Sequence, residues 1–318
     1  MGNATGRDLH IDAALSAMAI GYRPEGFIAD MLFPTVRVGK QSDVYRVFSR
    51  ADRLRRDRTE RAPGGLANRI SETVGSGTYF AKNYALAGAV TIEDKVNADP
   101  IIVNGLHTGK TQTILDKLLL DMEIRVSTMV TSTSNVGSSS AVTSAWNGSG
   151  DPKGDVETAI DNVRYSNGIL AAGLTVCFGD EAWTSFRRDS TVRSLIFGTN
   201  NGGGYPTEAQ AADLLGVRRV LVGGAFQNTG EEGLSESLST IWGDNVLVYY
   251  APEAPSIDRP SFGYNFRWNA PGLPSMQVEK HPYDTRRKAE DLEVGFYQDE
   301  KITGSSYGFL LTAVNSST

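Results

Sequence analysis

The chain has 318 residues but one cysteine, Cys177, and three histidines, His10, His107 and His281. A single cysteine excludes an internal disulfide, so nothing asks for an oxidising compartment. Cys177 lies in the apolar run LTVCF and reads as a buried small hydrophobe rather than a reactive thiol. The histidines are far apart, and none has a neighbour at metal-ligand spacing, so no metal site is expected. Long apolar runs are missing too; none approaches the roughly 18 residues of a membrane span. The first residues do not resemble a signal peptide, because Asp8 offsets Arg7 and Asp12 interrupts the apolar stretch. MGNATG sets Gly6 where a myristoylation signal wants Ser or Thr. The chain is expected to be cytosolic when made. Positive charge is also short. Residues 1–100 hold 14 basic and 12 acidic side chains, the rest 17 and 25, so +2 and −8 give −6 overall. A field of that sign repels polyphosphate, which argues against general nucleic-acid binding and leaves room only for a local patch.

Signatures of catalysis are equally scarce. GLHTGKT, at 105–111, ends like a phosphate-cradling loop in Gly109, Lys110 and Thr111. That loop needs its first glycine at position 104, where Asn104 stands; Gly105 comes one residue late for backbone amides to wrap a phosphate. LTVCFGD ends in Asp180, as a magnesium-holding strand does. A soluble P-loop-like NTPase using Gly109, Lys110 and Thr111 therefore stands as the alternative from another class. No G-x-S-x-G elbow occurs. Asp180–Glu181 and Asp299–Glu300 are adjacent carboxylates, and adjacency does not put two side chains on one face. NNGGGYP lacks the strand-before, helix-after form of a dinucleotide loop. No catalytic residue, cofactor or metal ligand is assigned.

What is present is structural. Glycine is abundant, at 34 residues, so many turns are expected. Ile11, Ala14, Leu15 and Met18 share one helical face near the start. PEGFIADMLFP then carries Phe27, Ile28, Met31, Leu32 and Phe33 between two prolines, a piece too short to bury them by itself. Residues 35–50 read as a strand bent at Gly39, and TYFAKNYALAG as its return. Between them, residues 50–65 set six arginines (Arg50, Arg53, Arg55, Arg56, Arg58, Arg61) among Asp52, Asp57 and Glu60. A nucleic-acid arm usually lacks the acids, and a solvated disordered loop usually lacks the flanking strands. Mixed charge with arginine's planar fork fits an inter-subunit grip best, ahead of a merely solvated loop or a nucleic-acid contact. An isolated hairpin is marginal in water, so this one needs a surface to lie on.

Thr91 and Asp94 form a capping-box start for a short helix stopped by Pro100. Leu115, Leu118, Leu119, Met122, Val126, Met129 and Val130 then repeat at helical spacing. Begun near Val103, that helix would have ~29 residues and measure ~43 Å. Residues 132–154 are small and polar and read as a linker. Helices and strands alternate afterwards: helices at 155–165, 180–188 and 207–215, with Thr207 as cap and Gly216 as stop; strands at 174–178, 219–222 and 246–250; and longer β segments at 262–282 and 291–314.

The order of these parts resembles the major capsid proteins of tailed phages, the Hong Kong 97-type fold. YRPEGFIADMLFPTVRVGKQSDVYRVF leads into an extended loop that returns through TYFAKNYALAGAV. TILDKLLLDMEIRVSTMVT follows as the spine helix. DVETAIDNVR, EAQAADLLGVRRVLVGGAFQN and WGDNVLVYYAPEAP run on, and LEVGFYQDEKITGSSYGFLLTAVN closes the chain. The resemblance implies an α+β fold: an N-arm (1–35), an extended β-hairpin loop (36–90), a peripheral domain with the long spine helix (91–154), an axial α/β domain (155–290) and a C-terminal strand returning to the peripheral domain (291–318). It implies a shell of hexamers and pentamers around double-stranded DNA, in a virion capsid assembled in the host cytoplasm. Because no long segment precedes the N-arm, either scaffolding by a separate protein or a matured chain is expected. A portal protein and decoration proteins are further expected partners, with DNA packaged without sequence-specific contacts and no membrane. A bacterial encapsulin-like nanocompartment shares the fold and is the nearer alternative. The expected subunit contacts are the loop tip, from Arg50 to Arg61 as named above, and Phe27, Met31, Leu32 and Phe33 of the N-arm.

Overall fold

The computed structural model describes residues 12–48, 52, 54–57, 59–70, 73–98, 105–198, 204–231, 233–269 and 274–315. Among them, strands form two five-stranded sheets and two two-stranded hairpins. The long central strand of the first sheet is β13 (Ala289–Ile302). It pairs antiparallel with β4 (Lys82–Thr91) along one edge and with β12 (Gln277–Lys280) and then β11 (Gly263–Trp268) along the other; β1 (Thr35–Val38) adds to β11 in parallel. Period-two alternation turns Leu292, Val294 and Phe296 of β13 onto Ile114, Leu115 and Leu118 of the spine helix. Two residues further on, the same stripe becomes polar. Gln298 and Glu300 are buried, and Arg125 of the helix donates to Glu300 at 2.8 Å while its guanidinium lies 3.8 Å over the Tyr84 ring.

The second sheet runs β5 (Ser138–Ala141), β14 (Gly308–Thr312), β10 (Val246–Tyr250), β6 (Leu174–Gly179) and β7 (Arg219–Gly223). Every residue of β6 is buried, as its unbroken apolar run requires of a strand covered on both faces. One face packs on the helices Pro152–Asn167, Asp180–Arg188 and Glu208–Leu215. The other meets the far half of the spine helix, through Met122, Val126 and Val130 against Leu247, Tyr249 and Leu310. The spine helix (Leu106–Val130) therefore serves both sheets, one with each half. Its 25 residues span about 38 Å. The start expected near Val103 lies outside the described residues.

The expected caps are present. Thr91 and Asp94 form a capping box, as do Thr207 and Gln210, and Gly216 ends its helix in the left-handed conformation at φ 62°. Sheet membership redraws two expected boundaries. Strands β11 and β12 lie within the span read as axial, yet they pair with β13 in the first sheet, because they supply the edge that β4 leaves open. Of the closing segment, β13 lies in the first sheet, while β14 crosses to the second, where Phe309 and Leu311 join its core. The single bent strand expected at 35–50 is two: β1 joins the first sheet, and β2 (Ser42–Phe48) forms a hairpin with β3 (Val74–Phe80). The return strand breaks likewise at Ala81, whose N–H donates to Gln41 O at 2.8 Å.

Candidate functional site

The N-arm segment folds onto its own chain. Residues 29–32 make one helical turn, Ala29–Leu32, with no side-chain cap of its own. The cap comes from the spine helix instead. Glu123 is 1 % exposed, and its carboxylate accepts the Ile28 and Ala29 N–H groups at 2.9 Å each and Trp242 Nε1–H at 2.7 Å. Burial pushes the Glu123 carboxyl above the usual range, and the three donors oppose that rise. Leu32 and Phe33 are fully buried beside Met122 and Val126. Phe33 lies so close over β11 that a β-carbon on Gly263 would stand 2.2 Å from its ring. This corrects the expectation that Leu32 and Phe33 anchor a neighbouring subunit: they complete the subunit's own core. Phe27 is half-buried, and Met31 alone of the four is open, at 45 % exposure. The Met31 carbonyl is held by Arg219 Nη2 at 2.8 Å.

The hairpin is tied down at its base. Tyr45 and Tyr79 are buried and stack on Phe266 of β11, with ring centroids 5.2 and 4.8 Å away. Gly77, opposite Tyr45, leaves room for that ring; a β-carbon there would lie 2.4 Å from it. The Phe80 N–H donates to Asp299 at 2.9 Å, and Lys301 donates to the Thr78 carbonyl. Beyond the base the strands are open on one face, with Val44 58 % and Val74 45 % exposed. Of the tip residues, Arg50, Arg53 and Arg58 lie outside the described residues. Arg55, Arg56, Asp57, Glu60 and Arg61 are exposed, and Asp52 is half-buried, pairing with Arg55 at 3.5 Å and accepting the Thr73 N–H at 2.8 Å. The tip meets its own body at Leu54, whose methyls lie against Gly168. The sequence reading passed over Leu66 and Ile70, which stand 94 % and 70 % exposed on the returning limb. Two aliphatic residues in a polar stretch were the signal.

Comparison with known proteins agrees with this layout. No family model matches the chain. Over 305 residues it is 27 % identical to the major capsid protein of Pseudomonas phage JBD67, covering 94 % of this chain and 95 % of that one. Over 317 residues it is 22 % identical to the major capsid protein of Burkholderia phage BcepMu, covering 96 % and 97 %. Among solved structures, a phage-related protein from Bordetella bronchiseptica RB50 superposes at TM-score 0.73 with 22 % identity, over 98 % of this chain and 99 % of that one. The capsid of cyanophage P-SCSP1u follows at 0.59, with 10 % identity over 90 % and 87 %. A virus-like particle from Pyrococcus furiosus gives 0.51, with 11 % identity over 94 % and 96 %. The chain has the Hong Kong 97-type capsid fold.

Within the capsid fold, the features that imitated chemistry take structural places. Gly109, Lys110 and Thr111 lie inside the spine helix, and Thr111 is fully buried, its hydroxyl donating to the His107 carbonyl at 2.8 Å. It cannot reach a magnesium ion, and Lys110 lays its stem against Gly88. Neither placement offers a phosphate cradle for the NTPase alternative; Asn104 itself lies outside the described residues. Asp299 and Glu300 face opposite ways, one to the hairpin base and one to Arg125. Cys177 is buried in both cores' dividing sheet, and burial pushes its thiol far up, away from reactivity. His107 and His281 sit near Glu290 and Glu293 of β13, at 3.4 and 3.2 Å; His10 lies outside the described residues. Among the described residues, no helix is long and apolar enough to cross a membrane.

Proposed function

We propose that this chain is the major capsid protein of a tailed phage, and that it self-assembles as hexamers and pentamers into an icosahedral shell around double-stranded DNA. The observation that carries the reading is the end-to-end match to a phage major capsid protein, 95 % of whose length is covered. The hairpin supports it: a two-stranded arm held at its base and touched again at Leu54 exposes aliphatic and charged groups that a lone subunit leaves in water. On this reading Arg55, Arg56, Asp57, Glu60 and Arg61, with Leu66 and Ile70, lie on a neighbouring subunit, and Met31 offers a smaller contact. Exposed ion pairs contribute only ~0.2–1 kcal/mol each, so the arginines set register and the aliphatic residues hold. The relatives are structural proteins, and no catalysis is assigned here. A scaffolding protein, a portal and decoration proteins are the accompanying partners, assembly takes place in the host cytoplasm, and the virion capsid is the destination.

The nanocompartment reading draws on the virus-like particle from Pyrococcus furiosus, whose TM-score of 0.51 is below the 0.73 of the Bordetella phage-related protein and the 0.59 of the cyanophage capsid. One experiment tests both. The chain is expressed alone and with its genomic neighbours and viewed by negative-stain microscopy. Closed shells that fill with DNA support the capsid reading, shells that enclose an enzyme support the compartment, and a stable monomer under all conditions overturns both.

A further inference from the structure

Two surfaces of the second-sheet half are left unused by the contacts described so far, and they complement each other. The first is a small hairpin, β8 (Phe226–Asn228) with β9 (Leu238–Thr240). Its register places Phe226 and Leu238 on the same face, 53 % and 69 % exposed, and Leu234 in the connecting turn is 70 % exposed. The turn is preformed: the Asn228 side-chain oxygen accepts the Gly230 and Ser237 N–H groups at 2.9 Å each. Its charges are acidic, with Glu231 and Glu236 exposed and in no ion pair among the described residues. The second surface is the pair of helices Asp180–Arg188 and Ser190–Phe197. Here Arg187 and Arg193 both lie 5.4 Å from the Tyr205 ring, Arg188, the last residue of the first of the two helices, is exposed, and Leu195 and Tyr205 are each 55 % exposed. Neither Arg187 nor Arg188 pairs with an acid among the described residues.

The two do not meet within the subunit: Phe226, Leu238, Leu195 and Tyr205 all stay more than half exposed. Thr240 donates to Glu181 at 2.8 Å, which fixes the small hairpin at the first turn of the helix whose last turn carries Arg187 and Arg188. Seven residues of helix, about 10 Å, separate them. We propose that the β8–β9 hairpin of one copy docks on the Arg187–Arg188–Tyr205 face of the next copy. Glu231 and Glu236 then meet the arginines, and Phe226, Leu234 and Leu238 cover Leu195 and the Tyr205 ring. The contact is heterologous, because each copy gives its hairpin to the next and receives another on its arginine face; contacts of that kind form rings where the rotation closes. A polyanion would satisfy the arginines but leave the apolar side chains of the hairpin in water, so a second copy is the occupant that answers both surfaces. The inference rests on the shell-subunit reading and names the contact that joins subunits around a ring.

Charge exchange tests it. Three chains are made: Arg187→Glu with Arg188→Glu, Glu231→Arg with Glu236→Arg, and all four changes together. Particle yield is read by sedimentation and negative-stain microscopy, and folding by circular dichroism. Each two-site reversal should lower particle yield at least tenfold while the subunit stays folded, and the four-site chain should recover most of it. Unchanged particles from either reversal overturn the proposal, as does a four-site chain no better than its parents. Shells that form normally from the arginine reversal but no longer hold DNA also overturn it, and assign the face to nucleic acid. Failure of the unaltered chain to form particles is a different result and counts against the shell reading itself.

Discussion

Replacing Glu123 should weaken the subunit in a graded way that depends on what replaces it. The carboxylate faces three donors in a buried site: two backbone N–H groups that begin the turn Ala29–Leu32, and an indole N–H. A buried donor left without a partner costs about 1–3 kcal/mol. Glu123→Ala orphans all three but also removes the cost of burying a charge, so a net loss of about 2–4 kcal/mol is expected. Glu123→Gln keeps an oxygen that can serve Ile28 and Trp242 and turns an NH₂ toward the Ala29 N–H. One bond is lost and two donors collide, for about 1–3 kcal/mol. Urea unfolding followed by tryptophan emission measures both. Hydrogen exchange at the Ile28 and Ala29 amides localises the effect, and both should lose protection in the alanine variant. The pH dependence has a definite direction. Because the folded carboxyl titrates above its unfolded value, the native state holds that proton more tightly. This contribution to stability is fully present below the unfolded pKa and is lost as pH rises through the folded one. Glu123→Gln should lack that slope. A glutamine variant as stable as the parent at neutral pH, with both amides still protected, would refute the account.

Three further outcomes follow from the placement of other residues. Phe33→Ala should lose about 3–5 kcal/mol of subunit stability in urea, because the ring is fully buried against β11; a loss below about 1 kcal/mol would return Phe33 to the subunit boundary. Reversing Arg53, Arg55 and Arg56 to Glu should abolish shells while the circular dichroism spectrum stays that of the parent, and normal particles under the microscope would remove the tip from the contact. Lys110→Ala should leave calorimetric titrations with ATP as featureless as those of the parent, and micromolar affinity abolished by the change would bring back the nucleotide reading.

The spine helix was legible because its burial is periodic: Leu115, Leu118, Leu119, Met122, Val126 and Val130 are all buried as their spacing predicts. Caps at Thr91 and Thr207 were legible because they are local. Glu123 was not. A carboxylate one residue from Met122 reads as solvent-facing, and its partners come from positions 28, 29 and 242, contacts that no local pattern encodes. The breaks at Gly39 and Ala81 escaped for a similar reason. Each continuous β-rich run serves two sheets, and which sheet a strand joins is decided by distant pairing, β1 with β11 and β4 with β13. Loop-tip chemistry was legible only as charge; the exposed Leu66 and Ile70 drew no notice because a lone aliphatic residue carries no periodicity.

The two extensions of this chain look alike in sequence, yet they divide self from neighbour by a physical difference. The N-arm places its apolar residues in and beside a single helical turn, where Leu32 and Phe33 are both buried and a buried carboxylate satisfies the N–H groups that open the turn. Short range and complete polar satisfaction allow it to close on its own core. The hairpin spreads its apolar residues over many residues of alternating strand and loop. Alternation buries one face of the base, Tyr45 and Tyr79 on Phe266, and necessarily turns Val44 and Phe80 to the other side. A two-stranded ribbon has two faces, and its own subunit covers only one. On the shell reading, the uncovered face, not the density of arginines, is therefore what turns the hairpin to another copy, with Val44 and Phe80 marking that face and Leu66 and Ile70 the far limb.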